Sequence, residues 1–263
     1  MGIFAITGGS SGIGAETVKL LKKQGHTTIN IDLKNCDIEA NLSLPEGRQK
    51  AIDQLHQLYP DGIDGMICNA GVSGACGNLK LIVSLNFFGT IALAKGIYDL
   101  LEKKHGTCVV TSSNTISQGT VKMDLADLLN NNNDNEDRIL NVLNQLDETN
   151  LSVGNSVYVA TKYALARWVR RHSASYAANG IRLNAVAPGN VNTAMTATMS
   201  TNAKMALNAL PIPTKYGKET LMDPSEIASA IVFLSSKEAA GINGVILFVD
   251  GGTDALLNTE KVY

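Results

Sequence analysis

The sequence has few of the motifs that cysteine and histidine form around metals. Its four cysteines, Cys36, Cys68, Cys76 and Cys108, show no C-x-x-C spacing and no histidine at ligand spacing. A zinc site is therefore not expected, and no metal is predicted. In a reducing compartment such cysteines act as small apolar residues, so we predict that all four are buried.

The sequence also has no excess of basic residues and no obvious membrane signal. Its net charge is −2 and its pI is about 6.1, which argues against a nucleic-acid partner. We find no apolar run that would be expected to span a bilayer, so no membrane partner is predicted. Met1 leads almost directly into a glycine-rich turn at Thr7, which leaves no room for a secretory leader, and Ile6 breaks the myristoylation pattern. We expect a cytoplasmic enzyme.

Short apolar runs alternate with helical patterns along most of the 263 residues, of which 44% are hydrophobic. This alternation predicts an α/β fold, a doubly wound parallel sheet of Rossmann type, with residues 1–263 forming a single domain. The strands are predicted at Ile3–Thr7, Thr28–Asp32, Gly65–Asn69, Cys108–Ser112, Ile181–Ala187 and Val245–Asp250. The helices are predicted at Gly14–Lys23, Glu46–Leu58, Leu79–Lys103, Val157–Ala178 and Ser225–Leu234.

Two stretches depart from a regular doubly wound sheet. Only four residues separate Asp32 from the short run Asp37–Leu42, too few for a helical crossover. Either the third strand is vestigial, or the chain turns back without the helix that an ordinary doubly wound sheet has there. Further on, 44 residues separate Ser113 from Tyr158 and include the polar tract Asn130–Asn135. Helical patterns at 122–129 and 136–146 flank this tract, which predicts a helical insertion over about residues 115–154.

A glycine-rich turn, Gly8–Gly14, follows the first strand and opens the first helix. Its spacing, G-x-x-x-G-x-G, suits a tight turn that presents the helix N-terminus to a pyrophosphate. Asp32 ends the second strand, where a carboxylate can accept hydrogen bonds from ribose hydroxyls and would repel a 2′-phosphate. NAD is therefore expected rather than NADP, although Lys34 is close enough in sequence to offset that repulsion. Alternatively, the glycines form an ordinary tight turn between strand and helix, and Asp32 is a solvated acid at the end of a strand.

Tyr158 and Lys162 are spaced i and i+4, which places a phenol and an ammonium on one helix face. A neighbouring cation lowers the pKa of a phenol, so Tyr158 is predicted to act as an acid and base near neutral pH. The pair alone occurs by chance in many helices, and its meaning depends on the other motifs.

Taken together, the motifs resemble the short-chain dehydrogenase/reductase superfamily. They are Thr7-Gly8-x-x-x-Gly12-x-Gly14, Asn69-Ala70-Gly71, Asn86, Ser113, Tyr158-x-x-x-Lys162 and Pro188-Gly189. The resemblance implies a seven-stranded sheet and four catalytic residues. By this resemblance Tyr158 exchanges a proton with the substrate oxygen, Lys162 lowers the pKa of Tyr158 and binds the nicotinamide ribose, Ser113 holds the oxygen, and Asn86 supports a water relay.

The same resemblance implies a set of cofactor-binding residues. They are Gly8, Ser11, Gly12, Ile13, Asp32, Leu33, Asn41, Leu42, Asn69, Ala70, Gly71, Tyr158, Lys162, Pro188, Gly189, Val191 and Thr193. Val191 and Thr193 are expected at the nicotinamide carboxamide. Asn41 replaces the usual aspartate beside the adenine, where its oxygen can still accept a hydrogen bond. Asn69 would otherwise cap the strand edge, and Asn86 would otherwise bond the backbone of its own helix.

Within the superfamily, the sequence is most similar to the branch of bacterial hydroxysteroid dehydrogenases and carbonyl reductases. The shared features are the short stretch after Asp32, the run Asn41–Arg48, the insertion before Tyr158 and the ending Val249–Ala255. The resemblance implies oxidation of a steroid 3α-hydroxyl and reduction of other carbonyls by a homodimer or homotetramer. The alternatives are another small alcohol or 3-oxoacyl substrate, or an NAD-binding regulatory protein without turnover.

Two regions are expected near the substrate. The insertion is predicted either to wall the substrate pocket or to screen the catalytic helix from helix-to-helix contacts between subunits. The loop region of about residues 190–222 is expected to supply an adaptable apolar wall through Met195, Met199 and Met205, unless these methionines serve ordinary packing.

Overall fold

Seven parallel strands form one sheet in a computed structural model that describes residues 1–119, 121–197, 210–215 and 220–262. The strand order is β3-β2-β1-β4-β5-β6-β7. The strands are β1 (Ile3–Thr7), β2 (Thr27–Asp32), β3 (Ile38–Glu39), β4 (Gly65–Cys68), β5 (Thr107–Thr111), β6 (Arg182–Pro188) and β7 (Ile246–Val249). The predicted doubly wound parallel sheet is confirmed, and each predicted strand is found within one residue at either end.

Helices cover both faces of this sheet. They are α1 (Gly12–Lys23), α2 (Pro45–Leu58), α3 (Leu79–Val83), α4 (Thr90–Gly96), α5 (Tyr98–Glu102), α6 (Met123–Asn131), α7 (Glu136–Leu143), α8 (Leu151–Ala178), α9 (Ala194–Ala197), α10 (Pro224–Ser235) and α11 (Thr253–Leu257). One core packs α2 to α8 against the sheet, and a second packs α1 and α10 against the opposite face. Strands buried on both sides explain why the strand sequences are apolar without alternation.

The third strand is present but only two residues long. Ile38 and Glu39 pair in parallel with Ile31 and Asp32, so the chain returns to the same direction after a five-residue connection. The Asp37 carboxylate holds this connection by accepting a hydrogen bond from the backbone N–H of Asn30 at 2.7 Å. The third strand is therefore vestigial, and the described connection of residues 33–37 contains no helix.

The predicted helix over Leu79–Lys103 is not continuous. After α3, residues Ser84–Gly89 form a wider π-helical turn before α4 begins. The prediction that no run could span a membrane also needs correction, because Leu79–Gly96 is long and apolar enough by length and composition. Two-thirds of that stretch (67%) is buried inside the protein, as a core helix of a globular domain would be.

The cysteines follow the prediction only in part. Cys68 and Cys108 are buried in the sheet, whereas Cys36 is partly exposed and Cys76 is exposed. Cys76 lies in the short 3₁₀ segment Gly74–Cys76, where the side chain of the last residue points outward. The prediction that all four are buried is therefore wrong for these two residues.

The helical insertion forms as α6, which packs against α8, and α7, which packs against α3. Leu129 and Ile139 are fully buried in the larger core. Asn130 donates a hydrogen bond to the Ala164 carbonyl at 2.9 Å, which attaches α6 to α8. Of the described residues, none between 121 and 150 lines the main cavity described below. The ends of the predicted insertion do line it, at Thr115, Gln118 and Leu151, so both expected roles of the insertion stay predictions.

A buried ion pair joins the insertion to the rest of the domain. The Arg48 guanidinium donates to both carboxylate oxygens of Glu136 and also to the carbonyls of Leu42, Ser43 and Ser84. The Arg48 side chain is 8% exposed and the Glu136 side chain 16%. Arg48 therefore connects α7 to the loop after β3 and to the π-helical turn.

Candidate active site

The carboxyl ends of the strands open into one large cavity of about 920 Å³. Parallel α/β sheets bind ligands at this edge. Every predicted cofactor-binding residue lines the cavity, as do Ser113, Tyr158 and Lys162 among the predicted catalytic residues. Asn86 alone of the predicted set does not line it. The sequence motifs, which are spread over 186 positions from Gly8 to Thr193, therefore meet at one place.

At one end of the cavity, the glycine-rich turn brings the backbone to the start of α1. Gly8 has φ +70°, and a Cβ on Gly14 would lie 2.1 Å from the Gly8 carbonyl oxygen, so no larger residue fits there. Ser11 at the N-cap of α1 makes no capping hydrogen bond through its side chain, and the first turn holds no acidic residue. The N–H groups of that turn are thus available to an anion, which suits the pyrophosphate of a dinucleotide.

The predicted ribose end is organised by Asp32. One carboxylate oxygen of Asp32 accepts from the Ser10 N–H at 3.1 Å, and the other accepts from the Leu33 N–H at 2.8 Å. Asp32 therefore fixes the glycine-rich turn against the end of β2 and still lines the cavity. Lys34 is exposed and does not line the cavity.

The oxygen of Asn41 is already engaged next to the predicted adenine position. Its side-chain oxygen accepts from the Ser43 N–H at 3.1 Å and from the Ser43 hydroxyl at 2.7 Å. An adenine contact through this oxygen would compete with the local turn. The role of Asn41 at the adenine stays a prediction.

Asn69 links three strand ends beneath the cavity. The Thr7 hydroxyl accepts from the N–H groups of Asn69 and Ala70, each at 3.0 Å. The Asn69 amide donates to the Gly8 carbonyl at 3.5 Å, and its oxygen accepts from the Thr111 hydroxyl at 3.4 Å. Asn69 thus holds the ends of β1, β4 and β5 together, in line with the structural alternative considered for it.

Tyr158 and Ser113 lie together in the cavity. Ser113 follows β5 and caps the 3₁₀ turn Asn114–Ser117, and its side chain is hydrogen-bonded to the Tyr158 phenol. Loss of water around the phenol raises its pKa above the ordinary value of 10, and the Ser113 hydrogen bond opposes this rise. The prediction of a lowered pKa is therefore wrong for the protein by itself, because the effect of burial on the pKa of Tyr158 outweighs that of the Ser113 hydrogen bond.

Lys162 lies one turn along α8, with its amino nitrogen 5.8 Å from the centre of the Tyr158 ring. The ammonium donates to the Thr111 carbonyl at 2.8 Å, and burial lowers its pKa to about 8. The Ser112 hydroxyl donates to the Lys162 carbonyl at 2.9 Å and so fixes this turn of α8 against the end of β5. The ammonium can stabilise a developing phenolate and bind a ribose hydroxyl.

Asn86 stands behind the cavity rather than in it. It lies fully buried in the π-helical turn, where its oxygen accepts from the Val72 N–H at 2.8 Å and its amide donates to the Val72 carbonyl at 2.9 Å. Asn86 thus fixes the loop after β4, next to Gly71, and not the backbone of its own helix. Its part in a water relay stays a prediction.

The loop after β6 covers the glycine-rich turn. The Thr193 methyl would lie 3.1 Å from a Cβ on Gly12, and Val191 is buried beside Met222. Met195 lines the cavity and is 38% exposed. Met199 and Met205 lie outside the described residues.

Sequence reasoning missed part of the lining. Thr115 and Gln118, in the turn just after Ser113, line the cavity together with Leu151 and Asn155 at the start of α8. Thr115, Gln118 and Leu151 fall within the predicted insertion, which was expected either to wall the substrate pocket or to screen the catalytic helix, and Asn155 falls within no predicted element. Their only sequence signal was nearness to Ser113 and Tyr158, since α8 begins six residues earlier than predicted.

Comparison with known proteins identifies the family. The family model described as short chain dehydrogenase matches residues 3–125, and that described as enoyl-(acyl carrier protein) reductase matches residues 126–254. The 3-alpha-hydroxysteroid dehydrogenase/carbonyl reductase of Comamonas testosteroni is 31% identical, over 99% of this chain and 100% of that protein. A coniferyl-alcohol dehydrogenase from a Pseudomonas species is 29% identical, over 94% of each chain.

A solved structure is also similar over the full length of the chain. The 3-alpha-hydroxysteroid dehydrogenase from a Pseudomonas species, complexed with NADH, superposes with a TM-score of 0.84. It is 33% identical, and the match covers 99% of this chain and 100% of that chain.

Proposed function

The chain belongs to the short-chain dehydrogenase/reductase family, and we propose that it interconverts a secondary alcohol and a ketone with NAD(H). Family membership makes it an oxidoreductase of alcohol or carbonyl groups. The observation that carries the proposal is the meeting of Ser113, Tyr158 and Lys162 in a cavity that also receives the open N-terminus of α1.

The residues present fit a dinucleotide along this cavity. Gly8, Gly12 and the first turn of α1 would hold the pyrophosphate, and Asp32 would accept from the adenosine ribose. Lys162 would bind the second ribose. When bound, the nicotinamide supplies or accepts a hydride at the carbon that carries the reacting oxygen. NAD is preferred to NADP because the one acid at the end of β2 would repel a 2′-phosphate.

The chain's own groups handle the proton. Ser113 donates a hydrogen bond to the substrate oxygen and keeps it within reach of the Tyr158 hydroxyl. In carbonyl reduction Tyr158 donates its proton to that oxygen, and the raised pKa keeps the phenol protonated at neutral pH. The Lys162 ammonium then stabilises the phenolate that remains.

For the substrate we propose an apolar ketone or alcohol, and a hydroxysteroid in particular. Support comes from the two hydroxysteroid dehydrogenases similar over the full chain and from the apolar lining at Val72, Leu85, Leu151 and Met195. A homodimer or homotetramer in the cytoplasm stays a prediction.

The proposal is tested with the change Tyr158→Phe. NADH absorbance is followed with androsterone-like steroids, aromatic ketones and 3-oxoacyl thioesters side by side. Removal of the acid is expected to reduce turnover by about 10²- to 10⁴-fold, while NADH binding, followed by fluorescence, is retained.

The matched control is Tyr163→Phe, a tyrosine on the same helix that stacks under Arg167 instead of lining the cavity. It should leave turnover unchanged. Wild-type turnover that survives Tyr158→Phe would contradict the acid and base role. Absence of turnover with the whole panel in the wild type would contradict the proposed reaction.

A further inference from the structure

The turn that follows β3 forms one wall of the proposed nucleotide site. Beyond Asp32, which is proposed to accept from the adenosine ribose, the cavity is lined by Leu33 and by residues 40–43. Asn41 is exposed there and Ser43 is partly exposed, so a ligand can touch this turn. A base joined to that ribose would lie against it. We call residues 40–43 the base wall.

Two backbone carbonyls of the base wall are held by one buried side chain. The Arg48 guanidinium donates to the Leu42 carbonyl at 2.8 Å and to the Ser43 carbonyl at 3.1 Å. Within the part of the chain that the structure describes, no other hydrogen bond reaches these two carbonyls. Arg48 itself does not line the cavity, so it can act on a ligand only through the base wall.

The position of Arg48 depends in turn on the insertion. Both carboxylate oxygens of Glu136, the first residue of α7, accept from its guanidinium, and both side chains are largely buried. A buried charge that loses its counter-ion destabilises the arrangement that buries it. Movement of the guanidinium toward water relieves this cost and releases the Leu42 and Ser43 carbonyls. Glu136 therefore affects the base wall without lining the cavity.

The π-helical turn beside the same guanidinium has a second attachment. Arg48 donates to the Ser84 carbonyl at 2.8 Å, but Asn86 also holds this turn to the backbone of Val72 through two hydrogen bonds. Loss of the ion pair is thus expected to loosen the base wall more than the substrate side of the cavity.

We infer that Glu136 and Arg48 are positioning residues for the nucleotide, because they keep the base wall in the conformation that binds the adenosine half of the cofactor. The inference rests on the proposed function, since it takes the cavity as a dinucleotide site with its adenosine half at Asp32. It gives the insertion a role in cofactor binding. By linkage, the nucleotide must favour the bound position of α7 by the same factor by which α7 favours the nucleotide.

A fragment of the cofactor isolates the base wall. Adenosine monophosphate (AMP) carries only the adenosine half; its Kd is measured by calorimetry, and that of NADH by fluorescence. In Glu136→Gln both Kd values are expected to rise about threefold to tenfold, as they would if about a tenth to a third of the molecules kept the competent wall. The KM of the ketone at saturating NADH should not change. Glu136→Asp, which keeps the charge, should lie closer to the wild type.

The matched control is Asp127→Asn. Asp127 pairs with Arg167 and so joins the insertion to α8 by a second ion pair, far in sequence from the base wall. This change should leave the Kd of AMP as in the wild type. A wild type that binds neither NADH nor AMP would contradict the proposed function. Equal Kd values in the wild type and Glu136→Gln would overturn this inference alone.

Hydrogen exchange tests the linkage in the opposite direction and needs only the wild type, so it decides even if Glu136→Gln does not fold. Saturating AMP should slow exchange of the α7 amides (Glu136–Leu143) by up to the same factor. The α6 amides (Met123–Asn131) are the internal control and should show no such slowing. Exchange in α7 that AMP slows no more than exchange in α6 would overturn the inference.

Discussion

Replacing Lys162 by methionine should make the protein more stable at neutral pH while it abolishes activity. Burial lowers the pKa of this ammonium from 10.5 to about 8, which corresponds to about 3 kcal/mol of destabilisation of the charged folded state. Methionine keeps an unbranched apolar chain and removes the charge. The loss of the hydrogen bond to the Thr111 carbonyl at 2.8 Å offsets about 1–2 kcal/mol of the gain.

The sign of the pH dependence follows from the lowered pKa. Below pH 8 the folded and unfolded chains both carry the proton, so the folded state bears the full cost of the buried charge. Between pH 8 and 10.5 the folded state releases the proton first, and the stability of the wild type rises. By pH 9.5 the wild type should have regained about 2 kcal/mol relative to the methionine variant.

Urea unfolding at pH 7 and pH 9.5 measures both effects. We expect Lys162→Met to exceed the wild type by about 1–2 kcal/mol at pH 7, with a Tm higher by about 3–6 °C, and to lose this lead at pH 9.5. Lys104→Met, at an exposed lysine, is the control and should change little at either pH. A methionine variant that is less stable than the wild type at pH 7, or a difference that does not vary with pH, would refute the reasoning.

Two further predictions concern the nucleotide and the insertion. Asp32→Ala should raise the Kd for NADH far more than that for NADPH, measured by fluorescence, since a 2′-phosphate gains from the loss of the carboxylate; an equal loss for both cofactors would argue against NAD. Glu136→Gln should lower the free energy of unfolding by about 3 kcal/mol, because it leaves the buried Arg48 charge without an anion. The exposed Glu148→Gln should change it by less than about 0.5 kcal/mol, and equal effects of the two changes would show that the ion pair contributes nothing.

Local sequence patterns were enough to predict the parallel sheet and the glycine-rich turn. Six of the seven strands coincide with short runs rich in apolar and β-branched residues, so their positions could be predicted without knowledge of their neighbours, whereas that of the two-residue β3 could not. The glycine-rich turn could also be predicted, because only a residue without a Cβ at position 14 can lie so close to the Gly8 carbonyl. The order of Ser113, Tyr158 and Lys162 then identified the family, which the comparisons confirm.

Properties that depend on contacts between residues far apart in the chain could not be predicted from the sequence. The pKa of Tyr158 depends on how much water the folded chain removes from around the phenol. The i and i+4 spacing of Tyr158 and Lys162 gives no information about this burial. The pair between Arg48 and Glu136 joins residues 88 positions apart. The break after Val83 depends on the π-helical turn that lets the side chain of Asn86 reach the backbone of Val72.

The two buried cations among the described residues, Arg48 and Lys162, show how a structural charge differs from a functional one. The Arg48 guanidinium donates to three carbonyls and to both oxygens of Glu136, so its hydrogen bonds and its charge are matched within the protein. Lys162 has three donors, and among the described residues its hydrogen bond goes to the Thr111 carbonyl alone. An ammonium buried without an anion is destabilising, and its lowered pKa records that cost. A fold keeps such a group where the missing partners come from bound molecules, which is why Lys162 marks the active site and Arg48 does not.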